Sequence, residues 1–156
     1  YGQEFFAEYG FNRIQISIVM VCGSILSCFS ALAVDKLLQR FPVALKYIIS
    51  LTMACSIILC ALPLLPVSVF FFILANAANA MIYPIESSSL NALIPSAQRA
   101  TIISIDSMCY SLAMIVLFPL CGAVATHIGL HRTFLGLGIT EFILMLLILK
   151  HRSVKS

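Results

Sequence analysis

Charge is what this sequence has least of. Asp, Glu, Lys and Arg make up 10% of its 156 residues, where soluble domains carry about 25%. Hydrophobic residues reach 62%, above the soluble range of roughly 45–50%. A water-soluble fold is excluded, because no chain of this size can bury so many uncharged runs. Strict apolar–polar alternation over about ten residues is also missing, which excludes the strands of a membrane β-barrel. The six cysteines (22, 28, 55, 60, 109 and 121) show no metal-ligand spacing, so they read as free thiols acting as small apolar residues. Neither a phosphate-cradling Gly loop nor a nucleophile–base pair is present, and an ATP-driven pump would need a Walker motif. No His, Asp or Ser set converges at one depth, so neither an enzyme nor a cofactor is expected.

What fills the chain is five apolar runs, at roughly 14–34, 43–62, 67–85, 100–126 and 133–149. A helix needs about 20 apolar residues to cross about 30 Å of hydrocarbon. Lipid satisfies no backbone N–H or C=O, so each run must be helical. The basic residues are sorted between alternate ends of these spans. Lys36, Arg40, Lys46, Arg99, Lys150, Arg152 and Lys155 fall on one side, and Arg13 and Arg132 on the other. The positive-inside rule then places the larger group, with the tail at 150–156, in the cytoplasm. The net charge of +3 resides at helix ends, where it meets anionic headgroups. It is no nucleic-acid signal.

The spans differ in character. The first carries Gly23, Ser27 and Ala31 at four-residue steps, a face that admits close helix approach, and ends in a charged turn at 35–40. The second is apolar all round apart from Ser50, Thr52 and Ser56, which can bond back to their own helix; Pro42 suits its first turn and Pro63 its outer turn. In the third, Asn76, Asn79, Tyr83 and Glu86 fall within an arc of roughly 80° at 100° per residue. That is a polar stripe on an apolar helix, which Pro84 interrupts near its inner end. A polar connector at 87–98 follows, holding Ser96. The fourth span groups Ser104, Ser107 and Ser111 on one face and Asp106 and Tyr110 on another. The fifth is apolar except for Glu141 near its middle. Residues 1–12 open without Met or a signal pattern, and the span count is odd. We therefore expect a carboxy-terminal piece of something larger, with 1–6 the tail of a preceding helix.

Three stretches carry a family resemblance. Asp35, Lys36 and Arg40 resemble the loop motif Gly-x-x-x-Asp-Arg/Lys-x-Gly-Arg/Lys-Arg/Lys, with Ala31, Leu38 and Gln39 at its other positions. The segment Leu90-Asn91-Ala92-Leu93-Ile94-Pro95-Ser96-Ala97-Gln98-Arg99-Ala100-Thr101 is similar to a helix 10–11 loop, with Asn91, Pro95 and Arg99 as its signature. Pro119-Leu120-Cys121-Gly122 is similar to the Gly-Pro-x-x-Gly-Gly bend of antiporters. Together they resemble the carboxy-terminal half of a major facilitator superfamily transporter, from the end of helix 7 through helix 12. The resemblance implies an all-α membrane bundle of which this chain holds five transmembrane helices of the second six-helix half, residues 1–156. Helix 10 (the third span) would line the central cavity, and helices 9 and 12 would lie outside.

Function is then expected to be secondary transport of a small molecule by alternating access in the plasma or inner membrane. Proton-coupled efflux of a drug or metabolite leads, with an uptake symporter or a non-transporting scaffold or sensor as alternatives. The partners implied are the lipid bilayer, a small-molecule substrate, protons and the amino-terminal half of the same protein. Polar groups facing lipid are costly, so Asn76, Asn79 and Tyr83 are candidates for the substrate path, with interhelical glue as the plainer reading. Asp106, about 10 Å of helix past Arg99, is a candidate proton-coupling carboxylate or a helix-start group. Glu141 is the second coupling candidate. Unpaired at that depth it would cost a few kcal/mol, so a protonated state, a hydrogen bond to a partner helix or a hydrated interior is expected. Glu86 is expected to contact Arg99 or solvent. Asp35, Lys36 and Arg40 are expected to form a cytoplasmic latch or a topology anchor.

Overall fold

The computed structural model describes residues 1–41, 44–62, 64–95 and 98–153, the side chains of 91–92 and 151–153 excepted. Pro42, Pro63, Ser96 and Lys155, together with the side chains of Asn91 and Arg152, lie outside that description. Six helices follow in order: α1 (Gly2–Glu8), α2 (Arg13–Arg40), α3 (Ala44–Cys60), α4 (Leu65–Leu93), α5 (Arg99–Ile128) and α6 (Leu130–Ser153). No strand occurs among the described residues. Helices α2, α4, α5 and α6 are each long and apolar enough to cross a membrane. The 17 residues of α3 rise about 26 Å, close to the thickness of the hydrocarbon.

Local chemistry explains the ends. Asn12 caps α2, accepting from the Gln15 N–H at 2.8 Å while the Gln15 side chain accepts from Asn12 N–H at 2.9 Å. This reciprocal box satisfies two of the orphan donors at the helix start. The charged stretch at 35–40 is not a turn, as the sequence reading has it, but the last part of α2, closed by Phe41 N–H on the Leu37 carbonyl. Leu, Lys, Gln and Arg are good helix formers, and nothing before residue 42 breaks them. Helix α4 likewise runs through Pro84 to Leu93, taking up half of the connector expected at 87–98. The chain leaves α4 at Ile94 in an extended conformation, which a following proline favours. Gly129 alone separates α5 from α6, at φ +86° and ψ 155°; glycine reaches that region without strain.

Two ends can be distinguished. The turns between α1 and α2, α3 and α4, and α5 and α6 lie at one, the turn end. Lys36, Arg40, Lys46, Arg99 and Lys150 gather towards the other, the basic end. Helix α4 is the hub, packing on both α2 and α3, while α3 also carries α6. Val34, Leu45, Ile49, Ala78 and Ile85 form one core near the basic end. Phe5, Phe6, Val19, Cys60 and Leu130 form the other at the turn end. Helix α1 makes that second core possible. Its Phe5 and Phe6 are fully buried, with edge-to-face contacts to Phe134 at 5.1 Å and Phe72 at 5.0 Å. No residue of α5 is buried. It meets α6 and the tip of α1, where Tyr1 stacks on Phe118 and donates to its carbonyl at 2.6 Å.

The α3–α6 contact depends on a missing side chain. A Cβ on Gly138 would stand 3.0 Å from the Ile58 backbone nitrogen and 2.7 Å from Ile58 Cγ1, whereas one on Gly136 would meet nothing within 4 Å. Gly138→Val is therefore expected to force the helices apart at a cost of about 1–3 kcal/mol. Thermal melting of the detergent-solubilised protein should fall by several degrees. Gly136→Val carries the same change in helix propensity without the clash, and should melt close to the parent.

Candidate functional site

The polar residues of α4 meet two cavities. Asn76 and Asn79 border a cavity of about 240 Å³ whose other walls are Met53, Ile57 and Cys60 of α3, Phe72 and Ala75 of α4, and Phe134 and Leu137 of α6. Asn76 also borders a notch of about 450 Å³ between α2 and α4, with Ser24, Ser27, Gly23 and Cys28 across from it. The structure thus brings the two asparagines together, at the seam between α2, α3, α4 and α6. Asn76 Nδ2 donates to its own Phe72 carbonyl at 2.8 Å, which fixes the amide and leaves Oδ1 as an acceptor. Asn79 is exposed and bonds to none of the described residues. Tyr83, one turn further along the stripe, is 75% exposed and lines neither cavity.

The two acidic candidates stand apart from this seam and from one another. Asp106 is exposed on α5, whose Ser107 and Ser111 hydroxyls are turned back to the Ile103 and Ser107 carbonyls at 3.0 and 2.8 Å. Glu141 is half-buried on α6 and lines a third cavity, of about 610 Å³, nearer the basic end. There it meets Lys46, Tyr47 and Ser50 of α3 and Glu86 and Ser89 of α4. Of the three states open to Glu141, a hydrogen bond to a partner helix is not formed among the described residues. Its environment is a partly polar cavity. Glu86 is exposed and makes no ion pair among the described residues, so of its two expected settings, Arg99 or solvent, its exposure fits solvent.

Asp35, Lys36 and Arg40 are exposed on the final turns of α2, and the Arg40 guanidinium lies 5.7 Å from the Phe41 ring centroid. Pro95 follows the end of α4, and Arg99 opens α5. Thr52 bonds back to the Ile48 carbonyl at 2.7 Å, as its sequence setting suggests, but the buried Ser56 hydroxyl has no partner among the described residues.

Sequence reasoning missed Lys46 and Ser24. Lys46 reads as a topology anchor, yet it shares a helix face with Ser50, four residues on. That pairing on an otherwise apolar span was the available signal. Ser24 carries no signal of its own, because only the α2–α4 packing sets it opposite Asn76. Its hydroxyl is meanwhile held on the Met20 carbonyl at 2.9 Å.

No metal-binding cluster of His, Cys, Asp and Glu occurs among the described residues. The arrangement is instead a set of membrane helices with largely apolar cavities between them, each bordered by a few polar side chains. No curated protein and no solved structure matches the chain. The family model of the Major Facilitator Superfamily, however, matches residues 2–156. A match over nearly every residue agrees with the all-helical apolar bundle, and the chain belongs to the major facilitator superfamily.

Proposed function

We propose that the chain forms substrate-binding walls of a secondary transporter that exports small molecules in exchange for protons, working by alternating access. An amino-terminal half of the same protein would supply the opposing walls, with the site between them at the membrane midplane. Membership of a family of secondary transporters supports transport in general. The seven-to-two sorting of Lys and Arg supports a cytoplasmic basic end and carboxy terminus, in a plasma or inner membrane.

One observation carries the substrate reading: Asn76 stands between two cavities, on the polar stripe of a largely apolar helix. Membrane helices hold polar side chains where they face protein, water or a ligand. The walls around Asn76 and Asn79 are Met53, Ile57, Phe72 and Phe134, which suit an apolar body. The two amides offer it a donor and an acceptor. The substrate class is therefore an apolar compound with one or two hydrogen-bonding groups. Tyr83 extends the same stripe towards the cytoplasm and would meet the substrate at the mouth.

Everted vesicles containing the intact protein test this. With a pH-sensitive dye inside, adding ethidium or a panel of neutral apolar amides is expected to start proton movement. No response to any compound would count against coupled transport. Asn76→Ala and Asn79→Ala are each expected to lower the initial rate about 2–10-fold, the loss of one hydrogen bond of about 0.5–1.5 kcal/mol. Their abundance in the membrane should be unchanged. A non-transporting scaffold predicts no change from either.

Asp106 is proposed as a coupling carboxylate on α5. Asp106→Asn is then expected to abolish substrate-driven proton movement while substrate exchange across equal pH continues. Loss of both activities, or of neither, would refute the coupling role.

A further inference from the structure

The α3, α4 and α6 faces that enclose Asn76 continue towards the basic end, and there their chemistry changes. In the upper part α6 contributes Phe134 and Leu137, and in the lower part Glu141. Helix α4 changes from Phe72 to Glu86, and α3 from Ile57 to Lys46. Lys46, Glu86 and Glu141 come from three different helices and line one cavity of about 610 Å³. At about 30 Å³ per molecule, that space holds on the order of twenty waters. None of the three forms an ion pair or hydrogen bond with another described residue, so the charges face the cavity rather than one another. The hydroxyls of Tyr47, Ser50 and Ser89 complete its polar lining. An ionisable group on a membrane span marks an ion or proton route when it faces a hydrated space.

We propose that this cavity is a proton path from the basic end to Glu141, with Glu86 and Lys46 setting the charge along it. Glu86 sits on the exposed side and Glu141 is the more enclosed of the two carboxylates. A hydronium ion entering from the basic end gives its proton to the Glu141 carboxylate and leaves as water. An O–H bond forms at a carboxyl oxygen, and the net charge of the three groups goes from −1 to 0. Lys46 opposes this step and Glu86 favours it, through Coulomb interactions of opposite sign. On α5, which also packs against α6, neither Asp106 nor Arg99 lines the cavity. This path deepens the proposed proton coupling and rests on that reading, but protonation of Glu141 can be read without any transported compound.

The test uses the intact protein in proteoliposomes and a hydrophobic carbodiimide, which reacts with protonated carboxyl groups in membranes. The adduct at Glu141 is quantified by mass spectrometry while the pH on each side is varied separately. The label is expected to fall as pH rises on the side of the basic end, and to be indifferent to pH on the other. Lys46→Gln should move the midpoint of that fall upward by on the order of one pH unit, and Lys46→Arg should return it. Glu86→Gln should move it downward. A label that follows only the opposite side, an absent label, or a midpoint unmoved by Lys46→Gln and Glu86→Gln overturns the proposal. Carbodiimide labelling that behaves as expected in a protein that moves no compound would uphold the path and reject the transport reading.

Discussion

Hydrocarbon offers no hydrogen bonds, and many of the polar side chains on these helices are placed to answer that constraint. Ser17, Ser24, Thr52, Asn76, Ser89, Ser107, Ser111, Thr133 and Thr140 each donate to the carbonyl four residues earlier in the chain. Each bond hides a polar group within the helix that carries it, so the side chain needs no partner from another span. Helices finished in this way pack by shape rather than by polar glue. Gly138 shows what shape then requires, since α6 lies against α3 closely enough to leave no room for a Cβ.

Where self-satisfaction stops, the chain uses a few cross-links between helices. The turn end is the clearest case. Tyr9 O–H donates to the Leu62 carbonyl at 2.9 Å, with Ser68 Oγ 3.3 Å away and His131 Nδ1 at 3.5 Å. Ser68, fully buried, donates to the same carbonyl at 2.8 Å. His131 Nδ1 lies 3.3 Å from the Ala61 carbonyl, and its ring packs on Phe5. Three turns from distant parts of the chain are thereby held through one pair of carbonyls. Both carbonyls lie just past the end of α3, so the clasp ties the turn after that helix to the other two turns. Phe5 and Phe6 complete the arrangement by filling the space beneath it.

Periodicity made some of this legible. The Asn76 and Asn79 stripe follows from spacing alone, because a helix face is a local property and lipid penalises a misplaced amide. The family motif was also readable, since Asp35, Lys36, Pro95 and Arg99 stand at fixed offsets. What stayed hidden needs two helices at once. Lys46 looks like an interfacial anchor until α4 and α6 bring Glu86 and Glu141 to the same cavity. Tyr83 belongs to the stripe by angle, yet lies outside the cavities that Asn76 reaches. The ends of α2 and α4 were misjudged for a local reason. The polar stretches at 35–40 and 87–93 hold no proline, and polar residues extend a helix readily once it emerges into water or headgroups.

The position of Glu141 relative to Asn79 has a consequence for coupling. Leu137 lines the asparagine cavity, and Glu141 lies four residues later on the same helix, about 6 Å along its axis. One turn of α6 therefore carries both an apolar wall for a ligand and a carboxylate for a proton. Charge on that carboxylate is felt strongly through the intervening low-dielectric packing. Coupling requires that one ligand alter the free energy of binding the other, and that the effect be reciprocal. A proton at Glu141 meets this condition by neutralising the lower cavity beside the upper one. An apolar ligand, by displacing water from the upper cavity, makes the neutral form of Glu141 less costly in turn. For a neutral ligand the two events would then favour each other, the sign that co-transport with a proton requires; exchange requires the opposite sign, which a cationic ligand supplies because its charge favours the ionised Glu141 and drives the proton off.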